Sequence, residues 1–211
     1  MPGTPRLAAL LSLFLAAALA AGCAPSRTAL SGAEGEQAAR FFAGLSEGTP
    51  FPVKASFSGI ARPGGRDAVP FLAGVSAAGP AAETLGVYDP MGGAVAFIAN
   101  DGRILSVTRG PRAALAELSE DLKVEAGPVS MARILSGLPG YPVFRGEAAR
   151  DGDGRWVWAD ERQTLYSDPG RRFLAKAEYR VGPVEAAVEY PQRSSAEPPS
   201  GISLEVRGLE I

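Results

Sequence analysis

The residue pattern predicts an α+β fold in which a single large antiparallel sheet curls and carries helices over its concave face. Three observations lead there. Apolar residues recur at every second position in about ten short segments, the mark of half-buried strands. Those segments form two blocks, with helical spacing before the first, over residues 33–46, and between the two, over residues 111–138. Glycine, at 26 of 211 residues, recurs in or beside the strands at Gly59, Gly74, Gly86 and Gly93, where a strongly bent sheet relieves crowding between side chains.

The chain opens on a lone cation, Arg6, and an apolar run over residues 7–21 that ends in small residues. The run is shorter than the roughly 20 residues a helix needs to cross a bilayer, so residues 1–22 read as a secretory signal. The only cysteine, Cys23, follows at once. Leu19-Ala20-Ala21-Gly22-Cys23 resembles the bacterial lipobox, in which small residues precede a cysteine that becomes lipid-modified. The plain alternative is a small residue beside an ordinary cleavage site. The resemblance implies acyl chains such as palmitate on Cys23, and a membrane anchor that needs more than one chain to hold. By the enteric lipoprotein sorting pattern that this site resembles, Ala24 rather than aspartate after the cysteine implies the outer membrane. Residues 23–32 are small and polar and read as a lipidated tether. Residues 33–211 then form one domain, and no disulfide within a single chain is available to it.

Over residues 33–46, Ala38, Phe41, Phe42 and Leu45 place one apolar face on a helix. Past Pro50 and Pro52 the period drops to two, with Val53, Ala55, Phe57 and Gly59 on one face of a strand that stops at Arg62-Pro63-Gly64-Gly65. Strands follow at 69–77, 83–88, 93–99 and 103–108. Asn100-Asp101-Gly102 joins the last pair as a tight hairpin, because these residues tolerate positive φ. Helical spacing returns with Ala114, Leu115 and Leu118 over 111–122, and with Met131, Ile134, Leu135 and Leu138 over 129–138. Strands resume at 143–149, 155–159, 163–167, 173–181, 184–190 and 202–211, with a turn at Gly182-Pro183.

The 21 basic and 23 acidic residues are interspersed, so nothing reads as a nucleic-acid surface. The chain has no histidine and one cysteine. It also has no Gly-x-Ser-x-Gly elbow and no phosphate-binding glycine loop, so catalysis is not expected. Asp151-Gly152-Asp153-Gly154 is the most metal-like cluster, but it lacks the later ligands of a calcium loop and reads as a hairpin turn. No cofactor is expected. Glu117, Glu120 and Asp121 read as a solvated helix face.

Leu85-Gly86-Val87-Tyr88-Asp89-Pro90-Met91-Gly92, a hairpin over 97–107, and Ile134-Leu135-Ser136-Gly137-Leu138-Pro139-Gly140 occur in an order that resembles the outer-membrane lipoprotein receptor family LolB. There an Asn-Pro-Leu-Gly turn, a hairpin, a helix and a Leu-x-Gly-Leu-Pro segment follow one another. The resemblance covers roughly residues 53–209. It implies a LolA/LolB-like incomplete β-barrel that holds acyl chains under a helical lid, receives lipoproteins from a periplasmic carrier and places them in the outer membrane. Met91 matches the protruding leucine of that turn and would be the tip that enters the bilayer. A turn methionine folded back on its own domain is the alternative.

The inward set on the strands would line the acyl cavity: Phe57, Phe71, Val75, Leu85, Val87 and Phe97 from the first block, Trp156, Trp158 and Tyr179 from the second. Ile134, Leu135 and Leu138 would face it from the lid. Each serves equally as plain core. Trp156 and Trp158 share a face, with Val157 opposite. Two functions remain open: a monomeric, membrane-anchored module that binds acyl chains, and an envelope lipoprotein that uses the same fold to contact protein or peptidoglycan.

Overall fold

The computed structural model describes residues 27–48, 51–61, 69–111, 121–143, 146–182, 184–191 and 202–207. In chain order these form β1 (Thr28–Ala29), α1 (Gly32–Glu47), β2 (Val53–Ala61), β3 (Val69–Gly79), β4 (Ala82–Tyr88), β5 (Ala94–Asn100), β6 (Ile104–Arg109) and β7 (Leu122–Glu125). Next come α2 (Met131–Leu135), β8 (Glu147–Arg150), β9 (Trp156–Ala159), β10 (Gln163–Ser167), β11 (Leu174–Val181), β12 (Val184–Glu189) and β13 (Ser203–Arg207).

The protein is mostly antiparallel β, as expected, but the strands divide into two sheets where a single one was expected. Strands β2 to β7 form a six-stranded meander, and β1 joins β8 to β13 in a seven-stranded sheet. The described strands close no barrel. The break follows from what comes after β7. Its chain turns into the segment that carries α2, and the next strand, β8, pairs with β1 and β9 instead. Contact across the break runs through side chains. The Tyr141 hydroxyl donates to the Ala126 carbonyl at 2.9 Å, and Gly182 lies against Val124.

Three other expectations change. The tether is not loose over its whole length, because Thr28 and Ala29 pair with Arg150 and Ala149 and Gly32 already begins α1. Arg27 is held too: its guanidinium donates to the Tyr166 hydroxyl at 2.7 Å and lies 5.7 Å from that ring's centre. The helix expected over 111–122 falls mostly on residues 112–120, outside the described residues, but its last residue, Leu122, opens β7 and is extended. The strand expected from 143 begins only at Glu147.

α1 packs on β8 and β9 and fills the inner face of the seven-stranded sheet. Its buried Ala38 and Phe42 recur at helical spacing, and Phe41 and Phe42 meet Trp156 and Trp158 with ring centres 6.0 and 6.2 Å apart. Glu34 in the first turn suits the positive end of the helix dipole. It accepts from the Trp156 ring N–H at 3.1 Å and pairs with Arg150 and Arg171. Leu165, Leu174, Ala177 and Val188 complete this core. Each large apolar side chain buried there contributes about 1.5–3 kcal/mol.

Candidate functional site

Register in the six-stranded sheet sorts the expected cavity residues by face, since residues directly opposite in a ladder share a face. Phe57 lies opposite Ala73, Phe71 opposite Gly59, and Val75 opposite both Ala55 and Leu85. Val87 lies opposite Ala73 and Ala96, and Leu85 opposite Ile98. Phe57, Phe71, Val75, Leu85 and Val87 therefore line one face, continued by Ile98, Val107 and Leu105. Phe71 and Phe57 meet edge to face at 6.4 Å. The Phe71 ring lies so close over Gly59 that a methyl there would sit 2.6 Å from it. Val75 and Ala73 are buried, whereas Phe57, Phe71, Leu85, Val87, Ile98 and Val107 are only half-buried.

Phe97 belongs elsewhere. It lies opposite Gly86 and Thr108, on the other face of the sheet, and is 44% exposed. The expectation placed it inward because its segment, Val95-Ala96-Phe97-Ile98, is apolar throughout and carries no alternation to read. Trp156, Trp158 and Tyr179 do face inward, with Val157 opposite as expected, but they are buried in the packed core beneath α1 and α2. Burial pushes the Tyr179 phenol well above its ordinary value, and its oxygen accepts from the Gly140 N–H at 3.1 Å.

The expected lid residues lie on or just after α2 and are half-buried. Ile134 sits against Gly140, and Leu138 against Gly48 at the end of α1. A buried polar network that residue spacing did not reveal holds this segment. Glu83, at the start of β4 and 1% exposed, accepts from the Ser130 hydroxyl, from the Met131 N–H at 2.7 Å and from the Asn100 amide at 3.3 Å. Ser130 also caps α2 by accepting from the Arg133 N–H at 3.1 Å. Arg133 then reaches across to α1, which has no basic residue in its own last turn. Its guanidinium donates to the carbonyls of Leu45 at 3.1 Å, Ser46 at 2.9 Å and Gly48, groups that a helix end leaves without partners. Ser130, a residue type favoured at helix N-caps, is the signal in the sequence that could have pointed to it.

Met91 stands at the tip of the β4–β5 turn and is 91% exposed. The turn is rigidly built. The Asp89 carboxylate accepts from the N–H groups of Met91 and Gly93, both at 2.8 Å. Gly92 takes φ +82°, which glycine adopts without strain. Met91 therefore points away from its own domain. At the Asp151 cluster the carboxylate accepts from the N–H groups of Asp153 and Arg155 at 3.0 and 2.9 Å, which makes it the β8–β9 hairpin turn. Cys23 lies outside the described residues.

Two hollows stand out among those of the described residues. One, of about 340 Å³, is a charged groove on the outside of the seven-stranded sheet, with Arg162, Lys176, Glu178, Arg180 and Glu185 in its walls. The other, of about 530 Å³, lies outside the six-stranded sheet near Thr84, Asn100 and Ser106. Neither is lined by the half-buried apolar face. No described helix is long and apolar enough to cross a membrane. No family model matches the chain, and no curated protein or solved structure matches it significantly.

Proposed function

We propose that this chain is a LolB-like outer-membrane lipoprotein, held by lipid on Cys23 and facing the periplasm, whose six-stranded sheet takes up acyl chains of lipids or lipoproteins. One observation carries the reading. The inner face of that sheet is apolar yet half-exposed at Phe57, Phe71, Leu85 and Val87, while the rest of the domain has a filled core of its own. Ligand sites are mostly apolar and largely preformed, and a half-covered apolar sheet face supplies such a wall. α2 packs against β3 and stands at one end of this wall as a lid. The Met91 tip would pass cargo, received from a periplasmic carrier, into the bilayer.

A second reading draws on the filled seven-stranded sheet. A domain with little spare volume suits a structural or regulatory envelope lipoprotein that contacts protein or peptidoglycan. Titration with a fluorescent fatty acyl probe separates the two. Saturable binding that weakens in Phe71→Ala, with little change in melting temperature, is expected for the acyl wall. Phe42→Ala, in the filled core, should lower the melting temperature and leave affinity unchanged. No saturable binding in the wild type would leave the second reading standing.

A further inference from the structure

Ladder pairing orders the inner face of the six-stranded sheet into rows that run across the strands. The row next to α2 holds Ala77, Glu83 and Asn100, and the buried network of Glu83 closes that end. The next row, Val75, Leu85, Ile98 and Val107, is apolar throughout. The third, toward the Met91 turn, reads Phe57, Ala73, Val87, Ala96 and Arg109. Its three middle side chains are no larger than valine, and the bulkier second row stands along one side, so the third row is a shallow trough. Phe57 closes one end of it, in edge-to-face contact with Phe71. Arg109 stands at the other. Among the described inward positions of β2 to β7, Glu83 and Arg109 alone carry a charge. Glu83 is sealed in, whereas the Arg109 side chain is 48% exposed.

We propose that the acyl ligand of this wall carries an anionic headgroup, a carboxylate or a phosphate, held by Arg109, with its chain laid across the strands toward Phe57. The inference rests on the acyl-binding reading above and names the ligand class for it. Length supports the fit. Ala96 on β5 and Phe57 on β2 are three strands apart, and at about 4.8 Å per strand that is about 14 Å. One acyl chain fills about half of a bilayer core of about 30 Å, or about 15 Å. The headgroup then falls one strand further on, at Arg109.

The chemistry of the side chain agrees. A guanidinium presents paired N–H donors that match the oxygens of a carboxylate or phosphate. Its methylene stem extends the apolar wall while its head stays in water. Arg109 also neighbours Asp121, whose carboxylate accepts from the Arg109 backbone N–H at 2.9 Å and lies 3.7 Å from Nε. Exposed pairs of this kind contribute little, so a ligand's anion displaces the Asp121 carboxylate from the guanidinium at small cost.

The test titrates the full chain with palmitate, hexadecyl phosphate and neutral monopalmitoyl glycerol, each displacing a fluorescent fatty acyl probe. The anions should bind the wild type about tenfold more tightly than the neutral lipid. Arg109→Gln should remove that preference and leave the neutral lipid's affinity unchanged, a split that a merely structural role would not produce. Asp121→Asn keeps an acceptor for the backbone N–H but loses the competing charge, and should bind the anions up to about fivefold more tightly. A preference for both anions supports recognition of the shared charge. One confined to palmitate assigns the site to free fatty acids, and one confined to hexadecyl phosphate assigns it to phospholipids. Palmitate brominated at its methyl end should quench the fluorescence gained in Phe57→Trp more than palmitate brominated beside its carboxylate; the reverse order would overturn the orientation. Neutral lipid binding as tightly as the anions, with no effect of Arg109→Gln, would overturn the headgroup and leave the acyl wall standing. No binding of the probe or of any of the three would remove the wall as well.

Discussion

Glu83→Ala tests what fixes α2. The carboxylate is almost fully buried and accepts three hydrogen bonds, from the Ser130 hydroxyl, the Met131 N–H and the Asn100 amide. Hydrogen bonds to a charged group are each worth about 1.5–3 kcal/mol net. Their sum overshoots, because removing the carboxylate also removes the cost of having buried it. What is left behind is a capping hydroxyl and an N–H without acceptors in a dry site. We expect a loss of about 3 kcal/mol. With a urea slope near 2 kcal/mol per molar, the unfolding midpoint should fall by about 1.5 M. Glu83→Gln keeps the shape and one acceptor, and should cost about half as much. Glu125→Gln, an exposed partner of Arg103 at 3.4 Å, should cost under about 0.5 kcal/mol. Amide exchange should locate the effect, with residues 130–138 exchanging faster before the seven-stranded sheet does. A midpoint within about 0.2 M of wild type, or a shift equal to that of Glu125→Gln, would refute the reasoning, and α2 would then be held by its other contacts, the Arg133 bonds to α1 among them.

Cys23→Ser should abolish incorporation of radiolabelled palmitate and release the chain from membranes, because the sequence holds no other thiol; label retained in the variant would sink the anchor. Met91→Glu should leave fold stability within about 0.5 kcal/mol and acyl-probe binding intact. It should nonetheless slow delivery of lipidated cargo to liposomes, since burying methionine is worth about 1.5–3 kcal/mol and a charge resists entry into lipid; delivery at the wild-type rate would remove the tip's role. Phe42→Ala should cost about 3–5 kcal/mol in urea titration, because the ring is fully buried against Trp158. Glu34 is held below the usual carboxylate range, first by the Trp156 ring N–H and then by Arg150. A lowered carboxyl stabilises the fold above its unfolded value, near 4.5, and that contribution drains away as pH falls toward the folded value. Melting temperatures between pH 6 and pH 3 should therefore fall less steeply in Glu34→Gln than in wild type.

Much of the strand order was legible, since alternation survives wherever one face is wet. Ala82–Tyr88 and Gln163–Ser167 fall almost where their pattern puts them. Short pieces without alternation were not legible. Thr28–Ala29 is strand only because β8 offers it an edge, and Leu122–Glu125 has one buried residue, Val124. The division into two sheets could not be read either, because pairing partners are long-range and β7 and β8 look alike as segments. At the candidate site, Met91 was legible from its turn chemistry. Glu83 was not, because a glutamate at a strand start normally reads as solvated. Ile60 and Leu72 carried a signal that went unread, as apolar residues at outward positions of strands whose other outward residues include Lys54, Ser56, Ser58 and Ser76.

The two sheets meet the solvent problem differently, and that difference bears on function. The seven-stranded sheet spends the helix nearest to it, α1, on covering its inner face with Phe41 and Phe42, so a ligand there would have to displace close-packed aromatic side chains. The six-stranded sheet has the five-residue α2 against β3 and leaves Phe57 and Phe71 half-covered. A ligand entering there gains apolar contact without dismantling a core. Glu83 ties the start of α2 to β4, Arg133 ties its middle to the end of α1, and the Tyr190 hydroxyl donates to the Ile134 carbonyl at 2.8 Å near its end. Freeing the start of α2 would break the Glu83 network, whose bonds to it are few and polar, without disturbing the aromatic core. The Glu83 variants therefore report on function as well as stability: if α2 gates the apolar wall, Glu83→Gln should speed acyl-probe uptake by a larger factor than it changes equilibrium affinity. Stopped-flow uptake at the wild-type rate would mean that the wall is reached from the Met91 end.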